Sequence, residues 1–152
     1  MKIADSALDL IGNTPLVRLG RIAQRHGIEP VLAKLEKCNP AGSAKDRVAL
    51  SMVLDAEEKG LLRPGATIVE PTSGNTGVGL AMVAALRGYS LVLTMPASMS
   101  VERQKLLKAL GARIELTPAQ AGMGGAVARA EEILRETPGA FMPSQFDNPA
   151  NP

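Results

Sequence analysis

Aromatic residues are nearly missing from this chain: it has no Trp, one Tyr and two Phe in 152 residues. A core must therefore be assembled from Val, Leu, Ile, Ala and Met, and the stacking platforms that single-stranded nucleic acids require are lacking. Cysteine is equally scarce. Cys38 is the only one, so no intramolecular disulfide framework can form. There is a single histidine, His26, and no metal site is read from the sequence. The formal net charge of +2, evenly spread, is too small for a phosphate-backbone binder. No apolar run approaches membrane-spanning length, and the opening Met1-Lys2-Ile3-Ala4-Asp5 lacks a secretory apolar segment. These absences predict a cytoplasmic protein with no nucleic-acid and no membrane partner.

What remains is ordinary for a globular domain, with 45% apolar and 21% charged residues. The length allows one domain with a proper core. Strand and helix patterns alternate along it. Strands are predicted over 31–35, 67–69, 91–95, 113–116 and near 140–142. Helices are predicted over 46–59, 76–87, from Ser100 to Gly111, and over 126–135. Ser100 is placed as an N-cap, and Gly122-Met123-Gly124-Gly125 as a flexible loop before the last helix. This alternation predicts parallel βαβ units in an open, twisted sheet with helices on both faces, a three-layer αβα fold. Ligands in such sheets bind beyond the carboxyl ends of the strands.

Two loops stand where such a ligand would bind. Asn39-Pro40-Ala41-Gly42-Ser43-Ala44-Lys45-Asp46-Arg47 is rich in turn formers and runs into an apolar stripe of Val48, Ala49, Met52, Val53 and Ala56. It delivers Lys45 to the first turn of a helix, where the dipole disfavours the lysine's own charge. An uncharged amine is what Schiff-base chemistry uses. A lone lysine there would read as a surface charge, but a second loop follows. Glu70-Pro71-Thr72-Ser73-Gly74-Asn75-Thr76-Gly77-Val78-Gly79 comes after an apolar strand and opens a helix. Its hydroxyls, amide and free backbone N–H groups suit an anion such as a carboxylate or phosphate. Capping alone would need only one Ser, Thr or Asn. The glycine spacing is G-x-x-G-x-G, which is neither the dinucleotide fingerprint nor the phosphate loop of nucleotide hydrolases. Cys38 is read as an incidental buried thiol, His26 as a cation at a helix C-terminus, the methionines as core filler, and Asp46 and Arg47 as structural.

In this order and spacing, the two loops resemble those of cysteine synthase (O-acetylserine sulfhydrylase). This is a pyridoxal-phosphate family of the tryptophan synthase β-like fold. Ile11-Gly12-Asn13-Thr14-Pro15-Leu16-Val17 and Gln145-Phe146 with Asn148-Pro149-Ala150-Asn151-Pro152 match two further family segments, so the resemblance covers essentially the whole chain. It implies that Lys45 carries pyridoxal 5′-phosphate and shuttles the α-proton, and that Asn75 bonds the cofactor's 3′-oxygen. It also implies that Thr72, Ser73, Gly74, Asn75 and Thr76, with Gln145, clamp the substrate carboxylate. The implied reaction is β-replacement, in which O-acetylserine and sulfide give cysteine and acetate.

Cystathionine β-synthase, a serine/threonine dehydratase, or a non-catalytic α/β module are the competing readings. The resemblance further implies a homodimer able to bind serine acetyltransferase. Residues 1–35 are expected to pack with a second domain, and 36–152 to form the α/β domain. Family members are roughly twice as long. Their phosphate cradle and pyridine-nitrogen partner lie in a second half with no match here, so the chain is expected to be a half-length piece, inactive alone.

Overall fold

The structure is a computed structural model, and it describes residues 3–72 and 74–151. Three strands form the central sheet: β3 (Thr67–Pro71), β4 (Ser90–Pro96) and β5 (Arg113–Thr117), ordered β3-β4-β5 and parallel throughout. Two earlier strands, β1 (Leu16–Arg18) and β2 (Leu32–Lys34), pair antiparallel as a separate ribbon on either side of α1 (Gly20–His26). The strand expected over 31–35 is present as β2, and its antiparallel partner β1 went unread because three residues are too few to show a period. His26 does end α1, which is closed by Gly27 in the left-handed region.

Strand parity sorts the core into two layers, as side chains on a pleated strand alternate faces. Ile68, Leu91, Leu93 and Met95 face one way, against α2 (Lys45–Glu58), α3 (Asn75–Arg87) and α4 (Val101–Ala109). Val69 and Val92 face the other way, against α5 (Gly122–Glu136) through Ala130 and Ile133. The sheet thus lies between helices on both faces, as the alternation predicted. In α2 the buried residues Ala49, Met52, Val53 and Ala56 form the i, i+3, i+4, i+7 stripe read from the sequence. Ser100 caps α4, its hydroxyl accepting from Arg103 N.

Two expectations need correction. The segment 122–125 is not a loop: α5 begins at Gly122. Low glycine propensity does not prevent it, and at Gly125 glycine is required, since a Cβ there would lie 2.4 Å from the Cβ of Ala121 one turn earlier. The strand expected near 140–142 shrinks to one parallel bridge between Phe141 and Ile68. Phe141 N donates to Thr67 O, and Phe141 O accepts from Val69 N, both at 2.9 Å. Among the described residues, no helix is long and apolar enough to cross a membrane.

Candidate active site

The loop that carries Lys45 is held by a polar hub. Asn39, 3% exposed, donates from Nδ2 to the carbonyls of Glu36 and Ser43 and to Glu36 Oε2, and accepts from Gly12 N at 2.8 Å. Glu36 receives Arg47 in a fork, Nε at 2.7 Å and Nη2 at 3.0 Å, and the Thr14 hydroxyl at 2.6 Å. The Arg47 hydrogen bonds, with help from Thr14 and Asn39, hold the Glu36 carboxyl at about 2. Asp46 is fully buried and accepts from Ala41 N at 2.6 Å, closing the turn. Burial pushes its carboxyl up, against the pull of those backbone donors. Arg47 and Asp46 are thus structural, as read. Cys38 is exposed rather than buried, because it ends the short 3-10 turn Glu36–Cys38 with its side chain outside the hub.

From this loop Lys45 enters the first turn of α2, and its amine meets no hydrogen-bond or ionic partner among the described residues. It lines a cavity of about 710 Å3 beyond the carboxyl end of β3. The same cavity is lined by Thr72, Gly74, Asn75, Thr76 and Gln145. The structure therefore brings every described residue of the predicted site to one place. Ser73, the remaining member, lies outside the described residues.

The clamp loop is built onto the sheet and α3. Thr72 N donates to Thr94 O at 3.1 Å, and Gly74 N donates to the Thr72 hydroxyl at 3.3 Å. Asn75 is exposed at the start of α3, where free N–H groups face outward. Thr76 is buried and donates its hydroxyl to Gln145 Oε1 at 2.6 Å. Gly77 and Gly79 let α3 seat closely. A Cβ on Gly79 would stand 2.9 Å from the carbonyl oxygen of Lys45, and one on Gly77 would stand 2.9 Å from a methyl of Thr72.

Four contributing residues were missed in the sequence. Glu70, 1% exposed, sits under the cavity and accepts from the backbone N–H groups of Ser144 and Gln145. Burial pushes its carboxyl up, opposed by those two donors. The available signal was a lone acid in an otherwise apolar strand, which must find partners. Met123 and Val127 form an apolar cavity wall, Met123 reaching it from the early first turn of α5. Ser144 stands at φ +52, a left-handed turn that no residue type announced.

The donor set fits pyridoxal phosphate as far as this chain reaches. It offers an unpaired amine, an exposed amide, a hydroxyl-lined helix start and an apolar wall within one cavity. Lys45 is the only cation lining that cavity among the described residues.

Known proteins agree with this geometry. The family model for "Pyridoxal-phosphate dependent enzyme" matches residues 7–152. A cysteine synthase of Flavobacterium sp. is 55% identical over 146 residues, covering 96% of this chain and 47% of that protein. The crystal structure of an O-ureido-L-serine synthase superposes with a TM-score of 0.92 at 53% identity, over 99% of this chain and 46% of that one. The cysteine synthase of Entamoeba histolytica gives a TM-score of 0.93 at 43% identity, over 99% and 46% respectively. The chain spans about half the length of the curated relatives it matches. By its sequence, its fold and the lysine-bearing cavity at its sheet edge, the chain belongs to the pyridoxal-phosphate dependent enzyme family.

Proposed function

We propose that this chain forms the lysine-bearing half of a cytoplasmic cysteine synthase, which converts O-acetylserine and sulfide to cysteine and acetate by β-replacement. The observation that carries the reading is the convergence of Lys45, Asn75 and the 72–76 loop with Gln145 on one cavity. The cofactor, when bound, supplies an electron sink for charge that develops at the substrate's α-carbon. Lys45 Nζ holds the cofactor covalently and carries the α-proton, and Asn75 orients the ring through its amide. The Thr72 and Ser73 hydroxyls, the N–H groups at the start of α3 and the Gln145 amide bind the α-carboxylate. Thr76 fixes Gln145 by donating to its Oε1, and closure of this loop excludes water.

The reading extends to a homodimer and, as a further partner, serine acetyltransferase; both rest on the family resemblance. It also assigns residues 1–35 to the interface with a second domain and residues 36–152 to the α/β unit. In support, Leu16, Val17 and Leu32 of the ribbon are 59%, 41% and 54% exposed, and a two-stranded ribbon alone is marginal in water. A second β-replacement, yielding an O-substituted serine, is favoured by the likeness to O-ureido-L-serine synthase.

Product analysis on the full-length protein, offered O-acetylserine, serine and homocysteine with sulfide, separates these readings from cystathionine β-synthase and dehydratase activity. Cysteine is the expected product, and a visible cofactor band that Lys45→Ala removes is the expected signature. A band that survives Lys45→Ala would sink the assignment. Cysteine formation by the 152-residue chain alone would overturn the need for a second half.

A further inference from the structure

We infer that Glu70 is a positioning residue for the substrate clamp: it holds residues 144–145 in the turn that sets Gln145 against Thr76. The inference rests on the reading of Gln145 and the 72–76 loop as a carboxylate clamp. Glu70 ends the buried part of β3, next to that loop, and its carboxylate is the only side chain that bonds both backbone amides of the turn among the described residues. Oε2 receives Ser144 N at 2.8 Å, and Oε1 receives Gln145 N at 3.1 Å.

Ser144 is at φ +52, a conformation that residues with a side chain rarely adopt and that persists only where the surroundings impose it. Two successive N–H groups aimed at one carboxylate are such an imposition. The turn has a functional payload. Gln145 is 7% exposed, and its Oε1 is occupied by the Thr76 hydroxyl at 2.6 Å. Its NH2 makes no hydrogen bond among the described residues, so it remains as a donor to a carboxylate in the cavity that Gln145 lines. Charge-assisted bonds to a fully buried anion are strong and directional. With both of its oxygens engaged by N–H donors, Glu70 acts as an acceptor and a brace, and Lys45 remains the group that moves the proton.

The test is Glu70→Gln. A glutamine keeps one acceptor but turns an NH2 towards the second backbone N–H, so one bond is lost and a donor faces a donor. In the 152-residue chain, amide hydrogen exchange at Ser144 and Gln145 should accelerate about tenfold or more while the β4 amides stay protected. In the full-length enzyme loaded with pyridoxal phosphate, KM for the amino-acid substrate should rise about tenfold with kcat nearly unchanged. The visible band from Lys45 should persist. In a Gln145→Ala background the same change should add less than about twofold, because Glu70 acts through Gln145.

Unchanged exchange at Ser144 and Gln145 would overturn the inference while leaving the cofactor assignment standing. So would equal losses in both backgrounds, or a fall in kcat at constant KM, which would make Glu70 a proton-transfer group. If E70Q does not fold, Glu70→Asp keeps the charge and shortens the arm by one methylene, and it is read by the same exchange and KM criteria. Failure of the wild-type enzyme to develop a Lys45-dependent band strikes the functional reading instead, and the exchange result still judges Glu70.

Discussion

Replacing Gly79 with alanine should destabilise this protein although it improves a helix. In an open helical position, Gly→Ala gains about 1 kcal/mol from propensity alone. At position 79 the new Cβ would sit 2.9 Å from the Lys45 carbonyl oxygen, 3.2 Å from its carbon and 3.1 Å from the Cβ of Ala49. Ordinary contacts run from 3.4 to 4 Å, so α2 and α3 must part by roughly half an ångström, and the obstacle is backbone that cannot rotate away. Overpacking of this kind costs about 1–3 kcal/mol. Set against the propensity gain, the net loss reaches about 2 kcal/mol, or up to roughly 8 °C in Tm for a domain of this size.

Thermal and urea unfolding of the 152-residue chain measure it. Gly124→Ala is the control, since a Cβ there meets nothing within 4 Å; it should leave stability unchanged or raise it by up to about 1 kcal/mol. Gly77→Ala should fall between the two, because it meets methyl groups of Thr72 and Leu93 rather than backbone. A G79A protein that gains stability as G124A does would refute the close approach of α3 to the lysine. So would a G77A protein that loses more than G79A.

Acid stability should carry the mark of Glu36. Its carboxyl lies at about 2 when folded against an ordinary 4.5, so its contribution is complete above pH 4.5 and disappears as pH falls through about 2. Glu36→Gln should flatten the unfolding midpoint over that window, as followed by urea titration at stepped pH, and an unchanged acid limb would contradict the hub. Thr76→Val removes a buried donor 2.6 Å from Gln145 Oε1, leaving that oxygen unpaired at a cost of about 1–3 kcal/mol by the same unfolding assay. It should also weaken amino-acid binding, while a variant at the half-buried Thr137 of the α5 C-cap, outside the cavity, should not.

Much of this architecture was legible because its signals were local. The apolar stripe of α2, the Ser100 cap and the buried runs of β3 and β4 each rest on periods or end signals within a dozen residues. The two functional loops were legible for the same reason: each packs its polar and glycine residues into one short segment. What escaped depended on partners distant in sequence. Helix α5 begins at Gly122, against its own propensity, on a sheet whose Thr94 hydroxyl, 32 positions earlier, donates to Ala126 O. Glu70 could be seen as a buried acid, but its partners at 144 and 145 could not. Nor could the ribbon of β1 and β2, whose three-residue strands carry too little pattern to reveal that they pair with each other. Cys38 was misplaced because burial statistics for free thiols say nothing about which side of a 3-10 turn faces water.

The wide separation of the cavity's two walls also sets a timetable. Glu70 and the Gln145 amide it holds are 75 positions apart, and the Ser51 hydroxyl bonds Ala150 O across 99. Closing a loop of that first length costs roughly 4 kcal/mol of chain entropy. At roughly 5–20 residues per second on a ribosome, Glu70 is made some 4–15 s before the amides it will bind. For that interval the Glu70 carboxylate lacks the two backbone donors that satisfy it in the folded protein. This wall of the site can therefore close only once residues 144–150 have been made and docked against β3 and α2.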